Sequence, residues 1–364
     1  MTLSPQRLGL AMILAAALGD TALAQSSDSP LAECTAIEND RERLECYDRA
    51  AGRPPTAKPD QEAPSTEHAA DGKRPTTPRG EYFPSLAWQP AEASMIDAAW
   101  GFAPHSKPYI VDVYHPNYLL IARWSSHVNN QPFTPVFQAA GTTPQNLDNT
   151  EAKFQLSFKM RLWASEDRQW GVWAAYTQQN QWQVYNSSIS RPFRETNYMP
   201  EVFVSYRVDG ADQKGLTWQG FTWRLLNVGF NHQSNGRSDP LSRSWNRVFA
   251  EFGVERDALA LFAKVWYRIK ESADKDDNPD ITNYYGYSQF NALYRLGDHS
   301  FTGMVRGYLG TGGRGAYQLG WMSPRFLGPL RAYVQLFSGY GESMIDYNWR
   351  QTTIGAGFAL NDGL

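Results

Sequence analysis

From about residue 109 onward, apolar and polar positions alternate. In "FQLSFKMRLW", Phe154, Leu156, Phe158, Met160 and Leu162 are separated by Gln155, Ser157, Lys159 and Arg161. In "LALFAKVWYRIK", Leu259, Leu261, Ala263, Val265, Tyr267 and Ile269 share one parity, while Lys264, Arg268 and Lys270 hold the other. "LRAYVQLF" sets Leu330, Ala332, Val334 and Leu336 against Arg331 and Gln335. Successive side chains of a strand point to opposite faces, so this period predicts β-structure. Twelve runs are predicted, near 110–125, 151–164, 168–180, 197–209, 215–232, 244–255, 258–271, 281–296, 299–309, 315–323, 329–339 and 349–361. Many run to about nine residues or more, enough to cross a bilayer when tilted, whereas strands of soluble domains average roughly five or six. Alternation alone is shared by soluble and membrane barrels. Length, an even strand number and unequal connections favour the membrane form. The fold predicted is all-β, a 12-stranded antiparallel transmembrane β-barrel with a small N-terminal helical or disordered extension.

The start of the chain supports export. Arg7, the apolar run "LGLAMILAAAL" and the small residues Ala22 to Ala24 read as a signal peptide over 1–24. Residues 25–50 form a small Cys-containing helical segment, 51–80 a Pro-rich disordered linker, and 81–364 the barrel domain. No later stretch is apolar for long enough to be a membrane helix. A formal net charge of −3 lacks the basic excess of a nucleic-acid binder. Aromatic residues make up 14% of the chain, with 13 Trp and 19 Tyr, which fits the aromatic girdles of outer-membrane barrels and also a carbohydrate-binding β-protein. Cys34 and Cys46 are the two cysteines. In an oxidising compartment they are expected to pair. One continuous helix would hold them about 18 Å apart, so a disulfide requires a turn near Asn39-Asp40.

The candidate chemistry lies in "NVGFNHQSNGRSDPLSRSWNRVF", Asn227 to Phe249. His232 and Ser234 continue the parity of Leu226, Val228 and Phe230, and Asn246 shares that of Val248, Ala250 and Phe252. Three polar residues thus fall on apolar faces, where they are costly in a membrane unless they serve a function or are covered by a partner. A Ser hydroxyl becomes a nucleophile when an imidazole takes its proton. The imidazole in turn wants a third group to fix its tautomer, and the Asn246 carbonyl oxygen can accept that N–H. Because Asn is neutral, such a triad calls for electrostatic help elsewhere, for instance a metal at the developing oxyanion. A bare His-x-Ser is common by chance; a surface His and Ser at a strand end is the plainer reading of that spacing.

The longer string "HQSNGRSDPLSRSWNR" resembles the signature of the outer-membrane phospholipase A family. "FQLSFKMRLW", "AAYTQQNQW", "RPFRETNY", "DDNPDITNYYGY" and "SGYGESMIDYNWRQT" are similar to that family's strands and loops in the same order, from Tyr109 to Leu364. The resemblance implies a calcium-dependent outer-membrane phospholipase of a Gram-negative bacterium, acting on acyl esters of glycerophospholipids (phospholipase A1/A2 and lysophospholipase) as a homodimer. It makes Ser234 the nucleophile, His232 the general base, Asn246 the residue orienting it, and the Gly236 N–H an oxyanion donor. It implies calcium held by the Arg237 carbonyl and the Ser242 hydroxyl, with Ser190 reaching in from the second subunit, and a second calcium position at Asp239 and Asp277. For those aspartates ordinary turn chemistry is an equal reading. Gln178 matches a residue buried between subunits; the alternative is a lumen-facing Gln. The Cys-bearing segment, a last residue Leu364 where the family has an aromatic, and Arg191 beside Ser190 depart from the pattern. A passive outer-membrane channel is the other class of reading, and it leaves His232, Ser234 and Asn246 unexplained. A lipid A deacylase would differ only in substrate.

Overall fold

The computed structural model describes residues 34–37, 39–50, 94–134, 145–208, 216–307, 312 and 314–364. The signal peptide over 1–24 and the linker over 51–80 lie outside the described residues. The chain divides into two units, Met1–Pro75 and Thr76–Leu364.

In the first unit, helix α1 spans Asp40–Ala50. Asn39 precedes it, and its side chain accepts from the Glu42 N–H at 3.4 Å, as an N-cap does. The turn before this cap brings Cys34 back beside the helix, where it is bonded to Cys46 with the Cα atoms 5.5 Å apart.

The second unit is built on a sheet of fourteen strands, all paired antiparallel. They are β1 (Ile110–Val113), β2 (Tyr118–Ser125), β3 (Thr150–Ala164), β4 (Trp170–Trp182), β5 (Phe193–Arg207), β6 (Thr217–Trp218), β7 (Phe221–Ser234), β8 (Ser244–Arg256), β9 (Leu259–Ile269), β10 (Ser288–Leu296), β11 (His299–Arg306), β12 (Ala316–Leu327), β13 (Leu330–Tyr340) and β14 (Arg350–Ala359). Two are short additions: β1 prolongs the line of β2 along β3, and β6 pairs only with the start of β7. The other twelve close a barrel, because β14 pairs with β2 and β3 pairs with both β2 and β4. Short turns such as Asp257-Ala258 and Gly297-Asp298 gather at one end, and longer loops at the other.

Parity decides which way each side chain points. On β3, Leu156, Phe158, Met160 and Leu162 are 52, 46, 42 and 43% exposed, whereas Ser157, Lys159 and Arg161 between them are almost fully buried. The charge is therefore inside and the apolar surface outside, the inverse of a water-soluble barrel. An apolar wall of this extent is stable only against hydrocarbon or a partner surface. Among the described residues no helix is long and apolar enough to cross a membrane.

The lumen is filled, and not with polar groups alone. Towards the loop end, Arg123 bridges Glu151 at 2.7 Å and also binds Glu342; Lys153 reaches Glu342 at 2.9 Å, and Arg194 joins Glu151 at 3.0 Å and Asp346 at 2.8 Å. Towards the turn end, helix α2 (Met95–Trp100) enters the barrel. Ser94 caps it by accepting from the Asp97 N–H at 2.9 Å, and Gly101 ends it in the left-handed conformation. Asp97 pairs with Arg207 at 2.7 Å, and the Ile96 N–H reaches Glu255 at 3.1 Å. Ile96 and Trp100 lie in one buried cluster with Trp173, Phe203, Leu225, Phe249 and Phe262. The lumen is therefore not uniformly polar: a short apolar helix inside the barrel requires apolar inward neighbours. One expectation is corrected, over residues 281–287. A short helix α3 (Thr282–Tyr285) stands where strand was expected, and β10 begins at Ser288. Tyr285 is turned inward, its ring 5.3 Å from that of Trp245 and its hydroxyl donating to the Gly341 carbonyl at 3.0 Å.

Glu342 neutralises two buried cations. Glu342→Ala is expected to destabilise the barrel by about 3–5 kcal/mol, because buried Lys153 would lose its carboxylate partner and Arg123 would keep only Glu151, which Arg194 already shares. Denaturant unfolding in detergent micelles measures this, and a loss below about 1 kcal/mol would mean that water reaches the cluster.

Candidate active site

Three neighbouring strands meet at the loop end to form the site. β7 and β8 pair so that His232 stands directly opposite Asn246 and Ser234 opposite Ser244. On the other side of β7, Ser234 stands opposite Tyr198 of β5. On β7 the inward parity, Leu225, Asn227 and Asn231, is buried, whereas Val228 and Phe230 of the outward parity are 54 and 41% exposed. His232 and Ser234 continue the outward series, and Asn246 shares the outward face of β8 with exposed Val248. The trio lies on the outer wall and not in the lumen.

His232 Nδ1 and Asn246 Oδ1 are 2.9 Å apart. An amide oxygen only accepts, so Nδ1 carries the hydrogen, and in the neutral ring the lone pair then lies on Nε2. That is the tautomer a general base requires. The Asn246 amide is held from behind: its Nδ2 donates to Glu271 Oε1 at 2.8 Å. Among the described residues, Ser234 Oγ makes no hydrogen bond to the ring. The two residues are about 7 Å apart along the strand, on one face, and such contacts commonly tighten only when substrate binds.

The loop between β7 and β8 is shaped by Asn235, which is 4% exposed. Its Oδ1 accepts from the N–H groups of Arg237 at 3.3 Å and Arg243 at 3.0 Å, and its Nδ2 donates to the Leu241 carbonyl at 3.1 Å. Gly236 has φ +65, and a Cβ built there would lie 2.6 Å from the Tyr198 ring. Backbone handedness and ring contact both demand glycine here. Gly236→Ala is expected to lower turnover by about 10²–10³-fold by misplacing its N–H while the barrel stays folded. Steady-state kinetics beside an unfolding curve check it, and wild-type turnover would show that this N–H is idle.

The remaining candidates separate into two groups. Ser242 Oγ donates to Asp277 Oδ2 at 2.5 Å, and Ser244 Oγ donates to the same oxygen at 3.2 Å. The loop after β9 thus brings Asp277 to Ser242. Asp239 is exposed, as is Ser190, which follows a 3-10 turn over Ser187–Ile189 with φ +60. The Arg237 side chain donates to the Arg194 carbonyl at 3.1 Å. These donors are hydroxyl, carbonyl and carboxylate oxygens; among the described residues no group of three or more His, Cys, Asp or Glu converges as a metal cage. Gln178 sits on the outward parity of β4, accepts from the Tyr176 hydroxyl at 2.9 Å and donates to Asn180 at 3.1 Å. Thr196 of β5 donates to the same Asn180 oxygen at 2.9 Å, so a polar string crosses the apolar outer wall.

Asn235, Tyr198 and Glu271 are site residues that the sequence reading does not single out. Glu271 is within its reach, because it continues the outward parity of Leu261, Val265 and Ile269. Tyr198 depends on the register of β5 against β7, which no local pattern reveals.

The family model described as phospholipase A1 matches residues 102–360. A phospholipase A1 of Klebsiella pneumoniae is 40% identical over 261 residues, covering 71% of this chain and 85% of that protein. A putative phospholipase A1 of Neisseria meningitidis serogroup B is 36% identical, covering 96% of this chain and 93% of its own. Among solved structures, outer membrane phospholipase A of Escherichia coli superposes with a TM-score of 0.61 at 38% identity, over 70% of this chain and 99% of that one. The Salmonella typhi outer membrane phospholipase dimer with bound calcium does so with a TM-score of 0.61 at 37% identity, over 72% of this chain and 96% of that one.

Proposed function

The chain belongs to the phospholipase A1 family, and from this we propose that it is a calcium-dependent phospholipase of a Gram-negative outer membrane. It hydrolyses acyl esters of glycerophospholipids with a Ser-His-Asn triad on the lipid-facing wall, and it is active as a homodimer. The observation that carries this reading is the His232–Asn246 bond of 2.9 Å on a wall that exposes a broad apolar surface, Val228, Phe230 and Val248 beside it. A hydrolytic site that faces outward meets only substrates that live in the bilayer.

In this reading Ser234 Oγ attacks the acyl carbonyl as His232 Nε2 takes its proton. Asn246 holds the ring and accepts the Nδ1–H throughout. The Gly236 N–H donates to the oxygen that becomes negative. His232 then returns the proton to the leaving glyceryl oxygen, and water, deprotonated by the same ring, releases the fatty acid from Ser234. Ser242, the Arg237 carbonyl and the partner subunit's Ser190 would hold calcium, with Asp277, bonded to Ser242, and Asp239 as carboxylates nearby. Hard, oxygen-only donors that leave room for water fit calcium. When bound, the ion supplies positive charge at the oxyanion. Gln178 and its bonded neighbours would meet the second subunit, since a polar string facing lipid needs cover.

Fatty-acid release from phospholipid dispersed in detergent, compared between the wild type and Ser234→Ala, tests the reading. No release by the wild type, or equal release by both, would sink it.

A further inference from the structure

Glu271 is the one charged group bonded to the trio among the described residues, and the triad chemistry assigns it nothing to do. Its Oε1 accepts from Asn246 Nδ2 at 2.8 Å, while Asn246 Oδ1 takes the hydrogen of His232 Nδ1 at 2.9 Å. Only one orientation of the amide satisfies both bonds. Turned over, it would set its carbonyl oxygen against the carboxylate and its NH₂ against the ring N–H. We propose that Glu271 is a positioning residue of this site, which locks the Asn246 amide and lends the neutral triad the negative charge it lacks. The inference rests on the roles proposed for His232, Ser234 and Asn246.

The geometry favours a direct electrostatic part as well as a steric one. Asn246 pairs with Ile269, and Glu271 follows two residues later on the same face, half-buried where β9 ends. Hydrogen bonds in series polarise one another. An amide whose N–H points at a carboxylate therefore presents a more negative oxygen to the ring, and the imidazolium formed during attack is stabilised through it. Acting through Asn246, the carboxylate avoids direct pairing with the ring, so His232 stays free to give its proton back. Besides Glu271, the titratable groups that the neighbouring strands present on this wall among the described residues include Tyr198 of β5 and Tyr267 of β9 towards the site, and Tyr206 of β5 and Arg256 of β8 at the far end.

The test uses the full-length protein with phospholipid in mixed micelles at saturating calcium. Glu271→Ala is expected to lower kcat about tenfold, the size of one charge-assisted hydrogen bond, with KM unchanged. Glu271→Gln can still accept from Asn246 Nδ2 but carries no charge, so its kcat should fall between the two. In both variants the acid limb of kcat/KM should move to lower pH, because an imidazolium that has lost a nearby negative charge gives up its proton more readily. A role in packing alone would leave that limb where it is. Asn246→Asp adds the decisive comparison. Beside Glu271 two carboxylates adjoin and the variant should be poor. With Glu271→Gln added, the introduced carboxylate can accept from both neighbours, and activity should recover about tenfold, again the size of one charge-assisted hydrogen bond. An unmoved acid limb with unchanged kcat in Glu271→Ala, or an Asn246→Asp defect indifferent to residue 271, would overturn the inference while Ser234-dependent hydrolysis stood. Absence of Ser234-dependent hydrolysis in the wild type would instead remove the triad assignment and the inference with it.

Discussion

Ser234→Ala is expected to lower phospholipid hydrolysis by about 10⁴-fold or more, to the background left by binding and oxyanion contacts, without loosening the barrel. The expectation combines placement with chemistry. Ser234 ends β7 on the outward face, opposite Ser244 and Tyr198. It is half-exposed, so removing its hydroxyl opens no cavity and strands no buried partner, and stability should change by less than about 0.5 kcal/mol. His232→Ala should lose a similar factor, and the double variant little more, because base and nucleophile act as a unit. Titration of released fatty acid, with an unfolding curve for each variant, measures both halves of the claim. Activity within about tenfold of wild type in Ser234→Ala would mean that another nucleophile does the work.

Removal of calcium should produce the second large effect, a loss of about 10²–10³-fold with excess chelator, the scale of a lost oxyanion stabiliser. In the proposed reading one backbone N–H, that of Gly236, is a thin provision for a full negative charge, and the loop that follows carries oxygens that would hold a cation there: the Ser242 hydroxyl bonded to Asp277, and the exposed Asp239. Calcium should restore the rate, and magnesium should not, since its tight octahedron tolerates such a loose set poorly. Ser242→Ala should raise the calcium concentration needed for half-maximal rate while leaving the rate at saturation closer to wild type. Ser190→Ala should do the same only under conditions where the protein is dimeric, because Ser190 is proposed to serve the neighbouring subunit. Full activity in excess chelator would remove the metal from the account. A Ser190→Ala effect in monomer would refute the shared site.

Much of this was legible in the sequence, and the reason is local. A strand in a membrane wall must alternate, because one face meets hydrocarbon and the next residue does not. Phe158 and Lys159 therefore reveal their sides without any knowledge of their neighbours, and so do His232, Ser234 and Asn246. Closure into twelve strands followed from counting runs, and the pairing of Cys34 with Cys46 from their being the two cysteines of an exported chain.

The interior and the fine structure of the site were decided elsewhere in the chain. Helix α2 enters the barrel because Ile96 and Trp100 find Phe203, Leu225 and Phe262, which come from strands far along the sequence. Tyr285 leaves its expected strand for a pocket made by Trp245 and Gly341. The facing of His232 and Asn246 depends on the register of β7 against β8, and the Glu271 contact on where the β9 strand ends. Alternation reports which side of a wall a residue occupies. Which residues stand beside it is settled only when distant strands come together, because burial and hydrogen bonding are shared between segments that carry no trace of each other in their own order.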